Sequence, residues 1–317
     1  MTPKIAADRW LGFTSELHPQ ASLHQREDSH QGMPAVEWQE RVDAHFQASA
    51  QYWQELYRKD GVFEVIHQQR RDRVLGMVEK LELPKPAQVL EIGCGAGATV
   101  IPLAQRGYMV DAVDTVEEML QLTREAAVQA GVSQRVRTKS EDAHQLSFPD
   151  NSFSLAIAMG VTPYLHSLSA ALREMARVLE PGGYLIVNAD NRWRLSYVLD
   201  PRRFPALAAT RQKLRAWLEH SGLLKSDPAA PRPRMYSRKE FDATLAAAGL
   251  EKLWGTTLGF GPFSFLNFNL LSEPAGIKLH EKLQSLADRR VPVLRSTGAQ
   301  YMVLARKPGR SMRGNAA

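Results

Sequence analysis

The chain has 317 residues, 44% of them hydrophobic and 23% charged, with a net charge of +6 and a pI near 9.4. These values exclude a disordered or collagen-like polypeptide and leave ample chain for a large core. The one cysteine, Cys94, excludes an intramolecular disulfide framework; no apolar run reaches membrane-spanning length and the N-terminus reads without a signal-peptide core, so a cytoplasmic protein is expected.

In chain order, residues 1–36 are rich in His, Gln, Ser and Asp and read as an arm. Helical spacing begins at Val36 (Trp38, Val42, Phe46), and Trp53, Leu56 and Tyr57 share a further helical face. Phe63 to Leu81 continues as helix until Leu83-Pro84-Lys85-Pro86 breaks it. Residues 1–80 are thus an arm and a helical lid.

Val89 to Ile92 then reads as a buried parallel strand, followed by glycines at 93, 95 and 97 and by a helix from Ala98 to Gln105. Strand, glycine turn and helix make the first half of a βαβ unit, in which bare backbone and unpaired N–H groups can face a ligand. Gly93, Gly95 and Ala98 satisfy the loose dinucleotide fingerprint G-x-G-x-x-G/A, so a nicotinamide-dependent oxidoreductase is one reading. Tyr108 to Val113 is a second strand with Asp114 at its tip, placed to accept hydrogen bonds from ribose hydroxyls. Val116 to Ala130 is an amphipathic helix, Arg135 to Thr138 a third strand, and Phe153 to Met159 a fourth. Leu172 to Leu179 is a helix stopped by Pro181-Gly182-Gly183, and Tyr184 to Asn188 a fifth strand.

Glu91 extends the glycine turn to E-x-G-x-G-x-G. Together with Asp142-Ala143 after the third strand, the turn Phe148-Pro149-Asp150-Asn151-Ser152-Phe153, and the phrase Arg177-Val178-Leu179-Glu180-Pro181-Gly182-Gly183, it resembles the class I S-adenosylmethionine (SAM) methyltransferases, in the branch similar to ubiquinone-type small-molecule methylases. The resemblance covers about Leu81 to Asn191 plus the final strands. Ser147 and Ser154 depart from the family pattern "D-A-x-x-L-P-F-x-x-x-x-F-D", within a turn and at a strand start. The resemblance implies a Rossmann-like α/β fold: a seven-stranded, mostly parallel sheet with helices on both faces, the last strand antiparallel. It implies SAM as cofactor, with the loop of Glu91, Gly93, Gly95 and Gly97 facing its amino-acid end, Asp114 at its ribose, Asp142 at its adenine amino group, Tyr52 over it, and Thr115, Ala143 and Met159 as further cofactor-binding residues.

Residues 81–307 are then the methyltransferase core, with an insertion at 191–235 covering the substrate site and a basic tail at 308–317. Within the insertion a helix is expected from Leu207 to His220. Ser237 and Glu240 form a capping box for the last core helix, with Phe241, Leu245 and Leu250 as its apolar side. Leu253 to Leu258 and Tyr301 to Ala305 are the final strands, with Ile277 to Leu286 helical between them.

Methyl transfer to a small-molecule acceptor follows as the expected function, with oxygen favoured and nitrogen, sulfur or carbon open. A hydroxyl acceptor benefits from a general base. His166, after the fourth strand, and His67, before the core, are the candidates, with His144 a third. Phe260, Phe263, Phe265 and Phe268 are candidates for the acceptor pocket. A nucleic-acid methylase is the lesser reading: the positive charge is scattered, and Thr162-Pro163-Tyr164 is similar to an amino-methyltransferase loop but lacks its first acid or amide and one proline. A non-catalytic binding module is opposed by the intact loop and both carboxylates. With no Cys/His spacing and no close His pair in the sequence, no metal site is expected.

Overall fold

The computed structural model describes residues 33–200, 204, 207, 210, 217, 221, 231, 233–265 and 268–309. The arm before residue 33, most of the 201–232 stretch with its expected helix, and the tail from residue 310 lie outside them.

Among the described residues, helices α1 (Ala35–Ala48), α2 (Ala50–Glu55) and α3 (Val62–Lys80) lead into the core. β1 (Gln88–Ile92) follows, then α4 (Val100–Gln105), β2 (Met109–Asp114), α5 (Glu117–Gln129), β3 (Val136–Ser140), β4 (Phe153–Ala158), α6 (Leu168–Val178) and β5 (Leu179–Asn191). After α7 (Leu195–Leu199) come β6 (Met235–Tyr236), α8 (Arg238–Ala247), β7 (Glu251–Leu258), a two-residue hairpin pair β8 (Ser264–Phe265) and β9 (Phe268–Asn269), α9 (Glu273–Asp288), α10 (Leu294–Thr297) and β10 (Gln300–Arg306).

The main sheet runs β3-β2-β1-β4-β5-β10-β7, with β6 added beside the end of β5. β1 to β5 are mutually parallel, and β10 lies antiparallel between β5 and β7. Among the described residues the sheet therefore has eight strands rather than seven. The eighth is only the two-residue pairing of Asp190 and Asn191 with Met235 and Tyr236. Two apolar layers hold it. On one face α6 and α8 bring Leu172, Met175, Phe241 and Leu245 against Ala156 and Val187. On the other, α3, α4 and α5 bring Val74, Val78, Leu103 and Leu120 against Val89 and Ile157. Such two-sided burial explains why Val89 and Leu90 of β1 and Leu155 to Ala158 of β4 are apolar on both faces instead of alternating.

Boundaries moved where local chemistry decided them. α4 begins at Val100, later than Ala98, because the glycine turn is longer than its motif. α6 begins at Leu168, where the Ser167 side chain accepts from the Ala170 N–H, and its stripe Leu168, Ala171, Leu172, Met175 is wholly buried. Leu179 already pairs with Phe153, so Pro181-Gly182-Gly183 is an irregularity inside the β4–β5 ladder and not the helix stop. The capping box of Ser237 and Glu240 forms as expected. α9 braces α3 from behind through Arg73–Asp288 at 2.8 Å and Glu273, which accepts from the Val62 N–H at 2.8 Å. Among the described residues no helix is long and apolar enough to cross a membrane.

Candidate active site

The glycine turn is bound tightly to its neighbours. Gly93 and Cys94 both donate their N–H groups to the Val113 carbonyl, at 2.8 and 3.0 Å. Gly93 has φ +67°, and a Cβ there would lie 2.3 Å from a Val161 methyl. Gly95 has φ +53°, and no atom of the described residues lies within 4 Å of where its Cβ would stand, so its bare face borders open space among them. The Thr123 hydroxyl on α5 donates to the Gly95 carbonyl at 2.8 Å and fixes the turn from below.

That open space is a cavity across the carboxyl ends of β1, β2, β3 and β4, the place where an open α/β sheet binds ligands. Its floor includes Glu91, Gly93, Gly95, Asp114, Thr115, Asp142, Ala143 and Met159. The sequence-predicted residues thus largely converge. Gly97, Tyr52, His67 and His166 do not line it. Gly97 faces α5 instead, where a Cβ would stand 3.1 Å from the Thr123 hydroxyl. Tyr52 turns toward Lys59 and Glu64, and burial with the Glu64 charge raises its phenol pKa. Its neighbour Trp53 faces the cavity in its place. His67 is buried, its Nδ1–H donating to the Phe63 carbonyl at 2.8 Å. Burial and the Arg70 charge push its pKa down to about 3, unsuited to accepting a proton at neutral pH. His166 stacks on His144, centroids 3.4 Å apart, beside Asp142. Neither Phe260 nor Phe263 lines the cavity; Phe260 is buried, its N–H donating to His280. The side chains of Phe265 and Phe268 lie outside the described ones.

Three carboxylates sit in different electrostatic settings. Asp114 holds two backbone groups, accepting from Gly95 N–H at Oδ2 and Val116 N–H at Oδ1, both at 3.0 Å. Burial nevertheless raises its pKa, outweighing those two donors. Asp142 is also partly desolvated, but hydrogen bonds from His144 outweigh that and hold its pKa down. Glu91 is the most perturbed: burial pushes its pKa up to about 8, against the pull of Thr99 and Arg70. Its Oε2 is buried with no hydrogen-bond partner among the described residues.

Several lining residues were not singled out from sequence. Arg70 on α3 is 7% exposed and lines the same cavity. Its one hydrogen bond among the described residues is a 3.5 Å contact to Gln300, and no carboxylate there pairs with it. Its guanidinium reaches to 3.4 Å from where a Gly160 side chain would begin. The readable signal was position: Arg70 stands four residues from both Ile66 and Val74, on the buried stripe of its helix. From α1, Gln39 Nε2 donates to the Thr115 hydroxyl at 3.2 Å, and that hydroxyl donates to Asp43 at 2.6 Å. Phe46, Trp53, Tyr57 and Tyr164 form an aromatic wall, with Phe46 and Tyr164 edge-to-face at 4.9 Å.

The fit to SAM can be judged on these atoms. An amino-acid zwitterion needs a carboxylate for its ammonium and donors for its own carboxylate. Glu91 Oε2 and Arg70, both buried and with few partners among the described residues, would fit that pair. Gly95 leaves room for close approach, and Asp114 and Asp142 stand over β2 and after β3, where a ribose and a base would follow.

Comparison with known proteins agrees. Residues 90–187 match a family model described as a methyltransferase domain. The chain is 32% identical over 111 residues to a sterol 4-C-methyltransferase of Caenorhabditis elegans, covering 35% of this chain and 33% of that protein. It is 26% identical over 156 residues to a ubiquinone biosynthesis O-methyltransferase of Aeromonas salmonicida, covering 49% and 64%. The chain thus spans between one third and two thirds of the length of these curated relatives. Among solved structures, magnesium protoporphyrin IX methyltransferase of Synechocystis with bound S-adenosylhomocysteine (SAH) shares the fold, with TM-score 0.56 and 18% identity over 85% of this chain and 99% of that one. Residues 90–187 are thus a methyltransferase domain, and the chain resembles the class I SAM-dependent methyltransferases in sequence and fold.

Proposed function

We propose that the protein transfers the methyl group of SAM to a small, partly apolar or aromatic acceptor, with oxygen the favoured atom. The observation that carries this reading is the meeting of the Glu91–Arg70 pair, the glycine turn and two carboxylates in one cavity that Phe46, Trp53, Tyr57 and Tyr164 also line. When bound, SAM supplies an electrophilic methyl on a sulfonium. Glu91 and Arg70 hold its amino-acid end, Asp114 its ribose and Asp142 its base. Phe46, Trp53, Tyr57 and Tyr164 seat the acceptor against it and keep water out. No histidine lines the cavity among the described residues, so their contribution is proximity and desolvation, which suits an acceptor hydroxyl acidic enough to ionise without help. Helices α1 to α3, which bring Gln39, Phe46, Trp53 and Arg70 to the cavity, serve as its cover. The oxygen preference is supported by the ubiquinone biosynthesis O-methyltransferase relative, and carbon is the second reading, supported by the sterol 4-C-methyltransferase.

The test is transfer of a tritiated methyl from SAM to a panel of phenols, enols and sterols. Label in the O-methyl product of at least one phenol or enol is expected. Transfer to RNA or DNA alone contradicts the proposal. The clamp has its own test. Arg70→Met is expected to weaken SAH binding by about 10- to 150-fold, the value of a charge-assisted hydrogen-bond pair. Binding of 5′-methylthioadenosine, which lacks the amino-acid end, should be unchanged. Equal loss for both ligands in calorimetry would place Arg70 elsewhere.

A further inference from the structure

Asp142, His144 and His166 form a cluster at the end of β3, with one ligand-type atom from each lying within 4.8 Å of the others. This corrects the expectation of no close His pair, and it invites a metal reading. The hydrogen bonds argue otherwise. The Ser167 N–H donates to His144 Nε2 at 3.2 Å. A neutral imidazole that accepts at Nε2 carries its proton on Nδ1. His144 Nδ1–H therefore donates to Asp142 Oδ1, at 2.5 Å. A cation at Nδ1 would displace that proton to Nε2, against the Ser167 donor.

The same contacts give His144 a different task. Asp142 Oδ1 also accepts the His144 backbone N–H, at 2.9 Å. That oxygen is committed twice, while Oδ2 has no partner among the described residues and belongs to a side chain lining the cavity. The carboxylate is further fixed because His144 is held at both ring nitrogens. Ser167 is itself the N-cap of α6, and His166 covers one face of the ring at an interplanar angle of 25°.

We propose that His144 is a positioning residue that presents Asp142 Oδ2 as a pure acceptor and thereby sets a preference for adenine over hypoxanthine in the cofactor. The proposal rests on the reading that Asp142 meets the base. The 6-amino group of adenine donates to such an oxygen; the 6-oxo group of hypoxanthine opposes it, acceptor against acceptor. Without the His144 donor, Asp142 is free to rotate or to take up a proton and become a donor itself. Both changes erase the distinction.

The experiment titrates SAH and S-inosylhomocysteine into wild type, His144→Leu and His144→Asn, with melting temperatures to verify folding. Wild type is expected to prefer SAH by at least about 100-fold, as sites built on a substrate N–H do. His144→Leu should lower that ratio by roughly 10-fold or more, and His144→Asn, which keeps a donor near the Nδ1 position, should restore most of it. An unchanged ratio in His144→Leu overturns the proposal, as does equal impairment in both variants, which means His144 only fills space. A melting-temperature rise with zinc or nickel that is lost in His144→Leu also overturns it, in favour of a metal site. Wild type that binds both ligands equally refutes the placing of Asp142 at the base, and wild type that binds neither removes the functional reading beneath it.

Discussion

Asp114→Ala is expected to weaken SAH binding by about 10- to 150-fold, or roughly 1.5–3 kcal/mol, the value of hydrogen bonds to a charged group. The carboxylate stands at the tip of β2 and does two jobs. It accepts from the backbone of Gly95 and Val116, which shapes the glycine turn, and in the proposed site its remaining lone pairs serve the ribose hydroxyls. Burial is the cost of this placement, and the raised pKa records it. The alanine variant loses both jobs, whereas Asp114→Asn keeps one backbone acceptor and loses the charge. Calorimetry on the two separates them: an asparagine variant that melts like wild type yet binds as weakly as the alanine assigns the loss to the ribose. Wild-type affinity in both folded variants would remove Asp114 from the ribose site.

Glu91→Gln is expected to make the free protein more stable at alkaline pH while it loses affinity for SAH. The folded-state pKa of Glu91, about 8, lies above the ordinary value of 4.5. Between those limits the folded chain binds the extra proton. Its contribution to stability is therefore fully present below pH 4.5 and is lost as pH rises through about 8, by up to ~1.4 kcal/mol per pH unit. Glutamine cannot ionise and escapes the loss. Urea unfolding at pH 5, 6.5 and 8 should show the variant gaining on wild type at each step; parallel curves would mean that Glu91 is not buried in this way. Binding supplies the complementary readout. An ammonium group beside Glu91 Oε2 favours the ionised form, so SAH uptake at pH 7 should release a proton from wild type and none from the variant. Calorimetry in buffers of different ionisation enthalpy measures that release directly.

The features legible in sequence are those that a few adjacent residues decide. The apolar run of β1, the glycine turn, the acids after β2 and β3, and the Ser237–Glu240 box each carry local physics, and the parallel order of the sheet follows from βαβ handedness. What sequence withheld depends on direction and distance in three dimensions. Tyr52 and Trp53 are one residue apart on a six-residue helix, too short for periodicity to say which of them faces the ligand. His67 and Arg70 share one buried stripe, yet only the longer side chain reaches the cavity. His144 and His166 follow different strands, and their stacking arises from the path of the loop after β4, which no spacing rule encodes.

The most direct measurement is a titration of SAH and, separately, of NAD into the purified wild-type chain. One SAH per chain, with a higher melting temperature on binding and no response to NAD, is the predicted result. Well-folded protein that takes up NAD, or that gives neither heat nor a melting shift with SAH, would contradict the assignment of Glu91, Arg70, Asp114 and Asp142 to a single cofactor.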